Sequence, residues 1–176
     1  MRHNFYTIGH STRSTAEFVD LLRQGRVGMV VDIRTVPRSR TNPQYNCDAL
    51  PENLAPFQLG HEHIAELGGL RGKSKAEPSV LNGFWQNQSF HNYADYALTD
   101  AFRSGLEQLI ALGRERRCAM MCSEAVWWRC HRRLVADYLL LHGREVVHLM
   151  EGPRLQPATM TAGAREKEGK LVYPAA

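Results

Sequence analysis

No apolar run in this chain of 176 residues approaches the ~20 residues that a membrane-spanning helix needs. The amino-terminal stretch Met1-Arg2-His3-Asn4-Phe5-Tyr6 lacks the apolar core of a signal peptide and runs straight into a strand-like segment. Cysteine is scarce. Four residues, Cys47, Cys118, Cys122 and Cys130, are too few for a disulfide scaffold at this length, and the reducing cytosol would disfavour one. Catalysis, metal binding or plain burial remain open to them. Internal repeats are missing, and charged residues at 23% stay below the level that marks wholesale disorder. These absences lead to the expectation of a soluble, cytoplasmic protein with no membrane partner. At 43% hydrophobic the chain can build one domain with a real core. They set no oligomeric state.

The net charge is +4, and arginine supplies most of it. A guanidinium offers planar, two-pronged hydrogen bonding to phosphate or carboxylate. The balance therefore favours an anionic partner, either a small molecule or a nucleic-acid component.

Apolar runs alternate with helical patterns along the chain. Phe5–Gly9 reads as a first strand. Ser14-Thr15-Ala16-Glu17 has the form of a capping box, Phe18, Leu21 and Leu22 share a helical face, and Gly25 is a stop. Met29–Ile33 is a second strand. Pro37–Asn46 is loop-like, a short helix fits 50–57, and a third strand fits 61–67. Residues 71–88 have the composition of a mobile insertion, and 93–112 carry a helical pattern. A strand at Cys118–Cys122, a helix over 130–141 and a strand over 145–149 follow. Residues 151–176 read as an irregular tail with an edge strand at Leu171-Val172-Tyr173. The expected fold is a single α/β domain over 1–176, three-layered, with a mainly parallel sheet flanked by helices.

The densest chemistry follows the Cys118–Cys122 strand: Cys122, Ser123, Glu124, Trp127, Trp128, Arg129, Cys130, His131, Arg132 and Arg133. In an α/β protein this is where ligands sit, beyond a strand's carboxyl end and before a helix's amino end. A thiol there, near arginines, has a lowered pKa and can act as a nucleophile. Cysteine-dependent phosphatases follow the same logic, but the Cys122-to-Arg129 spacing is one residue too long and the loop is bulky rather than glycine-rich. A second reading is zinc, held by Cys122, Cys130 and His131 with His10 or His61 as fourth ligand. Against it, seven residues separate the two cysteines, where zinc motifs use about two to four. Zinc stays the cofactor candidate, and no metal ligand is assigned. Gly9-His10-Ser11 and Asp32-Ile33-Arg34, with Ser39 and Arg40, follow the first two strands. If those strands neighbour the Cys118 strand, all three ends meet on one rim. His10, Glu124 or His131 would then move protons, while Asp32, Arg34, Ser39, Arg40, Arg129 and Arg132 would hold an anionic substrate. Plain structural readings stand beside these: a buried thiol, a surface ion pair for Glu124, an indole anchoring the loop.

Thr7-Ile8-Gly9-His10-Ser11, Asp32-Ile33-Arg34 with Pro37-Arg38-Ser39-Arg40, Leu67-Gly68-Gly69, Cys122-Ser123-Glu124 with Cys130-His131-Arg132, and the ending Gly169–Pro174 together resemble the family called domain of unknown function 488. The Trp127–Arg133 segment resembles the variant common in its bacterial members. The resemblance implies a compact α/β domain and one site built from Cys122, Glu124, Cys130, His131 and Arg132; it supplies no reaction. Relatives often carry a tail histidine where this chain has Ala158. The expectation is an enzyme using Cys122 or Cys130 on an anionic, phosphate-bearing nucleotide or nucleic-acid component, against the alternative of a nucleic-acid-binding or metal-clip module.

Overall fold

Strict alternation of apolar residues decides the sheet. Phe5, Met29, Val31, Cys118 and Met120 fall into one buried cluster, while Tyr6, Ile8, Val30, Ala119 and Met121 fall into another. Side chains on a strand point to opposite faces in turn, so these strands are covered on both sides. The computed structural model describes residues 4–74, 79–152 and 155–176. The elements are β1 (Phe5–Gly9), α1 (Thr15–Gln24), β2 (Met29–Asp32), α2 (Leu50–Leu54), β3 (Gly60–His63), α3 (Gln88–Tyr96), α4 (Asp100–Glu115), β4 (Cys118–Cys122), α5 (Arg132–Leu141), β5 (Val146–His148), β6 (Gln156–Pro157), β7 (Arg165–Lys167) and β8 (Lys170–Val172).

The main sheet has the order β3-β2-β4-β1-β5-β6, parallel throughout except for the antiparallel β6. Strand-to-strand crossovers are right-handed, so the direction of each step along the sheet selects the face its helix covers. The steps β1 to β2 and β2 to β3 run one way. Their helices α1 and α2 accordingly pack Phe18, Leu22, Leu50 and Leu54 on the Tyr6–Met121 face. The steps β3 to β4 and β4 to β5 run the other way, and α3, α4 and α5 place Tyr93, Phe102, Leu106, Leu134 and Leu139 on the opposite face. The result is the three-layer α/β arrangement. Beside β4, chains leaving adjacent strands turn to opposite faces. That opens a crevice at the carboxyl ends of β2, β4 and β1.

The capping box at Ser14 and Glu17 and the stop at Gly25 form as the sequence specifies. The expected helix over 93–112 is instead two helices. Thr99 accepts from Phe102 N through its hydroxyl and restarts the chain as an N-cap. The expected strand over 61–67 ends at His63, and Ala65–Leu67 turns as a 3-10 helix. Within 71–88, Asn82 is fully buried and bonded to Asp95 and to Tyr173 N, and Trp85 sits in the core. Residues 75–78 of that stretch, and 153 and 154 of the tail, lie outside the described residues. Leu171 and Val172 pair with β7 in a separate hairpin, so the antiparallel edge of the main sheet is β6. No helix among the described residues is long and apolar enough to cross a membrane.

Candidate functional site

Pairing between strands continues into the loops beyond them. His10 N donates to Cys122 O at 2.9 Å, Ser11 N to Ser123 O at 3.0 Å, and Ile33 N to Met121 O at 3.0 Å. The loops leaving β1, β2 and β4 are therefore stitched together, and the three polar clusters share one rim. Gly9 permits this approach: a Cβ there would overlap the carbonyl oxygen of Glu124. Between the loops lies a cleft of about 710 Å³ whose lining includes His10, Arg34, Glu124, Arg129, Cys130 and His131.

At the β4 edge of the cleft the side chains form a thiol corner. Arg132, the first residue of α5, is fully buried. Its Nη1 donates to Cys122 Sγ and to Glu124 O, each at 2.7 Å, Nη2 to Ala125 O at 3.2 Å, and Nε to the Thr7 hydroxyl at 3.3 Å. Among the described residues no Asp or Glu makes an ion pair with it. A guanidinium taken out of water without a carboxylate needs another counter-charge, and sulfur is the candidate at hand.

The two thiols divide that role unequally. Burial, reinforced by a hydrogen bond given to Cys130, pushes Cys122 well above the ordinary thiol range. Burial also opposes ionising Cys130. The hydrogen bond from Cys122, the Arg132 charge and the Arg132 backbone N–H together outweigh it and bring Cys130 down to about 7. That N–H, at the start of α5, lies 3.4 Å from Cys130 Sγ, so the helix amino end also faces the sulfur. Next along the chain, His131 Nε2 lies 2.7 Å from Ile33 O. A carbonyl only accepts, so Nε2 carries the proton and Nδ1 is free toward Cys130 Sγ, 3.4 Å away. Burial lowers the His131 pKa and keeps the ring neutral. Thiol, imidazole and orienting carbonyl thus stand in the order that cysteine nucleophiles use. The ring packs edge-on to Tyr93, and a Cβ on Gly69 would strike it.

The second corner, at β2, is closed on itself. Arg34 gives Nε to Asp32 Oδ1 at 2.9 Å, and its Nη2 reaches Asp32 Oδ2 at 2.7 Å and Tyr45 O at 2.6 Å. Its Nη1 faces His10 Nε2 at 3.3 Å. His10 spends Nδ1 on Ser11 O and stacks on Tyr45, and burial lowers its pKa. Asp32 is fully buried beneath the cleft and neutralises Arg34.

The family described as Domain of unknown function DUF488 matches residues 14–139 of the chain. The chain belongs to that family. No curated protein and no solved structure matches it.

In this DUF488 member the matched span holds both thiols, His131 and Arg132, whereas His10 precedes it. The other expected residues are scattered around the cleft. Glu124 contributes its backbone carbonyl to the thiol corner, and its carboxylate stands at the exposed rim. Arg129 is exposed on the lining. Ser39 caps its own loop by accepting from Asn42 N, and Arg40 is exposed away from the lining. Ala158 lies at the β5–β6 edge, its N–H on Val146 O, away from the cleft. Sequence reasoning missed Thr7 and His148, register partners on β1 and β5 that link Arg132 to Trp127. The Thr7 hydroxyl lies 2.6 Å from His148 Nδ1, and the His148 ring stacks on Trp127 at 4.5 Å. Two polar residues inside apolar strands were the available signal. Among the described residues no group of three or more His, Cys, Asp or Glu is arranged to hold a metal ion. A cation at Cys122 would also meet the Arg132 guanidinium, so the thiol corner does not fit zinc.

Proposed function

We propose that the protein is an enzyme whose cleft binds an anionic, phosphate-bearing nucleotide or nucleic-acid component, with the Cys130 thiolate as nucleophile. The observation that carries this reading is the fully buried Arg132, which has no carboxylate partner among the described residues and touches sulfur. A buried cation answered by thiols is costly as mere architecture and useful for holding a thiolate at neutral pH. Cys130 is preferred over Cys122 because the Arg132 N–H and the neutral His131 Nδ1 both face its sulfur at 3.4 Å and its pKa is lowered where that of Cys122 is raised. Arg129 brings a cation to the cleft lining, Arg38 lines it while paired with Asp48 at 3.2 Å, and the neutralised Arg34 still offers an Nη1 hydrogen; among the described residues Glu124 is the one lining carboxylate. We place the protein in the cytoplasm, whose reducing conditions suit a site that works through thiols.

One observation favours a second reading, a nucleic-acid-binding module: Trp128 is 44% exposed beside the exposed Arg129, an aromatic and a cation at the rim. Incubation with a panel of nucleotides and short oligonucleotides separates the two. Product formation that disappears in Cys130→Ser supports the enzyme. Salt-sensitive oligonucleotide binding without turnover, unchanged in Cys130→Ser, supports the module and overturns the enzyme.

A further inference from the structure

A nucleophile at Cys130 leaves the second thiol of the corner without a task. Cys122 and Cys130 both line the cleft, and neither is in a disulfide. One residue holds both sulfurs: Arg132 donates to Cys122 Sγ through Nη1 at 2.7 Å and to Cys130 Sγ through its backbone N–H at 3.4 Å. The other cysteines stand apart: Cys118 is the first residue of β4 with its side chain in the core, Cys47 follows the loop after β2, and neither lines the cleft. Two thiols held by the same residue, one of them reactive, are placed so that the second can resolve an oxidised first.

We propose that Cys122 and Cys130 form a reactive dithiol that a hydroperoxide converts into an intramolecular disulfide, with Cys130 attacking and Cys122 resolving. In the first step Cys130 Sγ attacks the peroxide oxygen and the O–O bond breaks. The alcohol or water leaves with a proton, and Cys130 is oxidised by two electrons to the sulfenic acid. In the second step Cys122 Sγ attacks Cys130 Sγ, the S–O bond breaks, and water leaves with the Cys122 proton. The sum is two thiols and one hydroperoxide giving one disulfide, one alcohol and one water. Closure removes the nucleophile, so the site would switch off under oxidant and return with a reducing thiol. The inference shares with the proposed function only the reactive Cys130; it needs no phosphate ligand.

Hydrogen peroxide at equimolar amount, added to the reduced full chain at pH 7, tests it. The expected result is a loss of two hydrogens in the intact mass, a Cys122–Cys130 peptide in a non-reducing digest, and reversal by dithiothreitol. Cys122→Ser should stop at a sulfenic acid on Cys130 that dimedone traps. Cys130→Ser should slow oxidation of Cys122 by at least about tenfold. The wild-type digest stands by itself if either serine variant fails to fold. Oxidation that begins at Cys47, or a sulfinic acid on Cys130 with Cys122 still free, overturns the pair. Should iodoacetamide label Cys130 at neutral pH while peroxide forms no link, the dithiol falls and the nucleophile stands. Should Cys130 resist both reagents, both readings fall.

Discussion

Arg34 and Arg132 are buried arginines at neighbouring strand ends, and they are neutralised in opposite ways. Arg34 meets the Asp32 carboxylate through two nitrogens and fills most of its remaining capacity with Tyr45 O and His10. Arg132 meets carbonyls, a hydroxyl and sulfur. The first corner is an ion pair that makes a wall for the cleft. The second holds a charge with no carboxylate partner among the described residues, which the proposed Cys130 thiolate would balance. A buried guanidinium becomes structural or reactive according to the acidity of what faces it.

The largest effect should come from breaking the closed corner. Asp32→Ala strands the Arg34 charge in a fully buried site, and removing one partner of a buried pair costs about 3–5 kcal/mol. Urea denaturation should show that loss while Cys130 alkylation keeps its pH midpoint. A shifted midpoint would mean that the two corners are electrostatically one.

The thiol corner carries its own pH dependence through His148, which burial and the charges of Arg132 and Arg133 bring down to about 4. The ordinary histidine value is about 6.5, so as pH falls from there toward 4 the unfolded chain takes a proton that the folded chain refuses. Stability present above that window is lost across it, by about 3 kcal/mol from this group. His10, His61 and His131 are lowered in the same direction. The measurement is therefore the difference between wild type and His148→Asn: the variant should lose less stability over this window. Equal losses would show that His148 is not the titrating group.

Gly9→Ala should cost about 1–3 kcal/mol, because its Cβ would collide with the Glu124 carbonyl and push the β4 loop outward. A crystal structure of the variant with the loop unmoved would contradict that origin. The smallest predicted effect is the most specific to chemistry. Arg132→Met should raise the Cys130 midpoint toward the ordinary thiol value of about 8.5 and slow its alkylation at pH 7 by roughly tenfold.

Much of this arrangement was legible locally. The alternation at Phe5–Gly9, Met29–Asp32 and Cys118–Cys122 placed three strands, and the residues following them placed three loops on one rim. Ser14 and Glu17 placed the start of α1 because a capping box is a contact between residues three apart. What escaped depends on distant pairing. Thr7 and His148 are 141 residues apart and meet only through the parallel register of β1 and β5. Trp85 and Asn82 lie in a polar, turn-rich stretch, and their burial rests on Phe90, Asp95 and Tyr173, which composition does not display. Which cysteine is the acidic one was also beyond the sequence. The sequence left Cys122 and Cys130 open, and the proposal of Cys130 draws on the Arg132 N–H at the helix amino end, which faces its sulfur at 3.4 Å.

We hold that buried Arg132 is balanced by a thiolate at Cys130. Site-resolved alkylation of the wild-type protein by iodoacetamide across pH, followed peptide by peptide, tests it most directly. Cys130 should be labelled before Cys122, with a midpoint near 7. A Cys130 midpoint at or above the ordinary value of about 8.5, or labelling of Cys122 first, would contradict it.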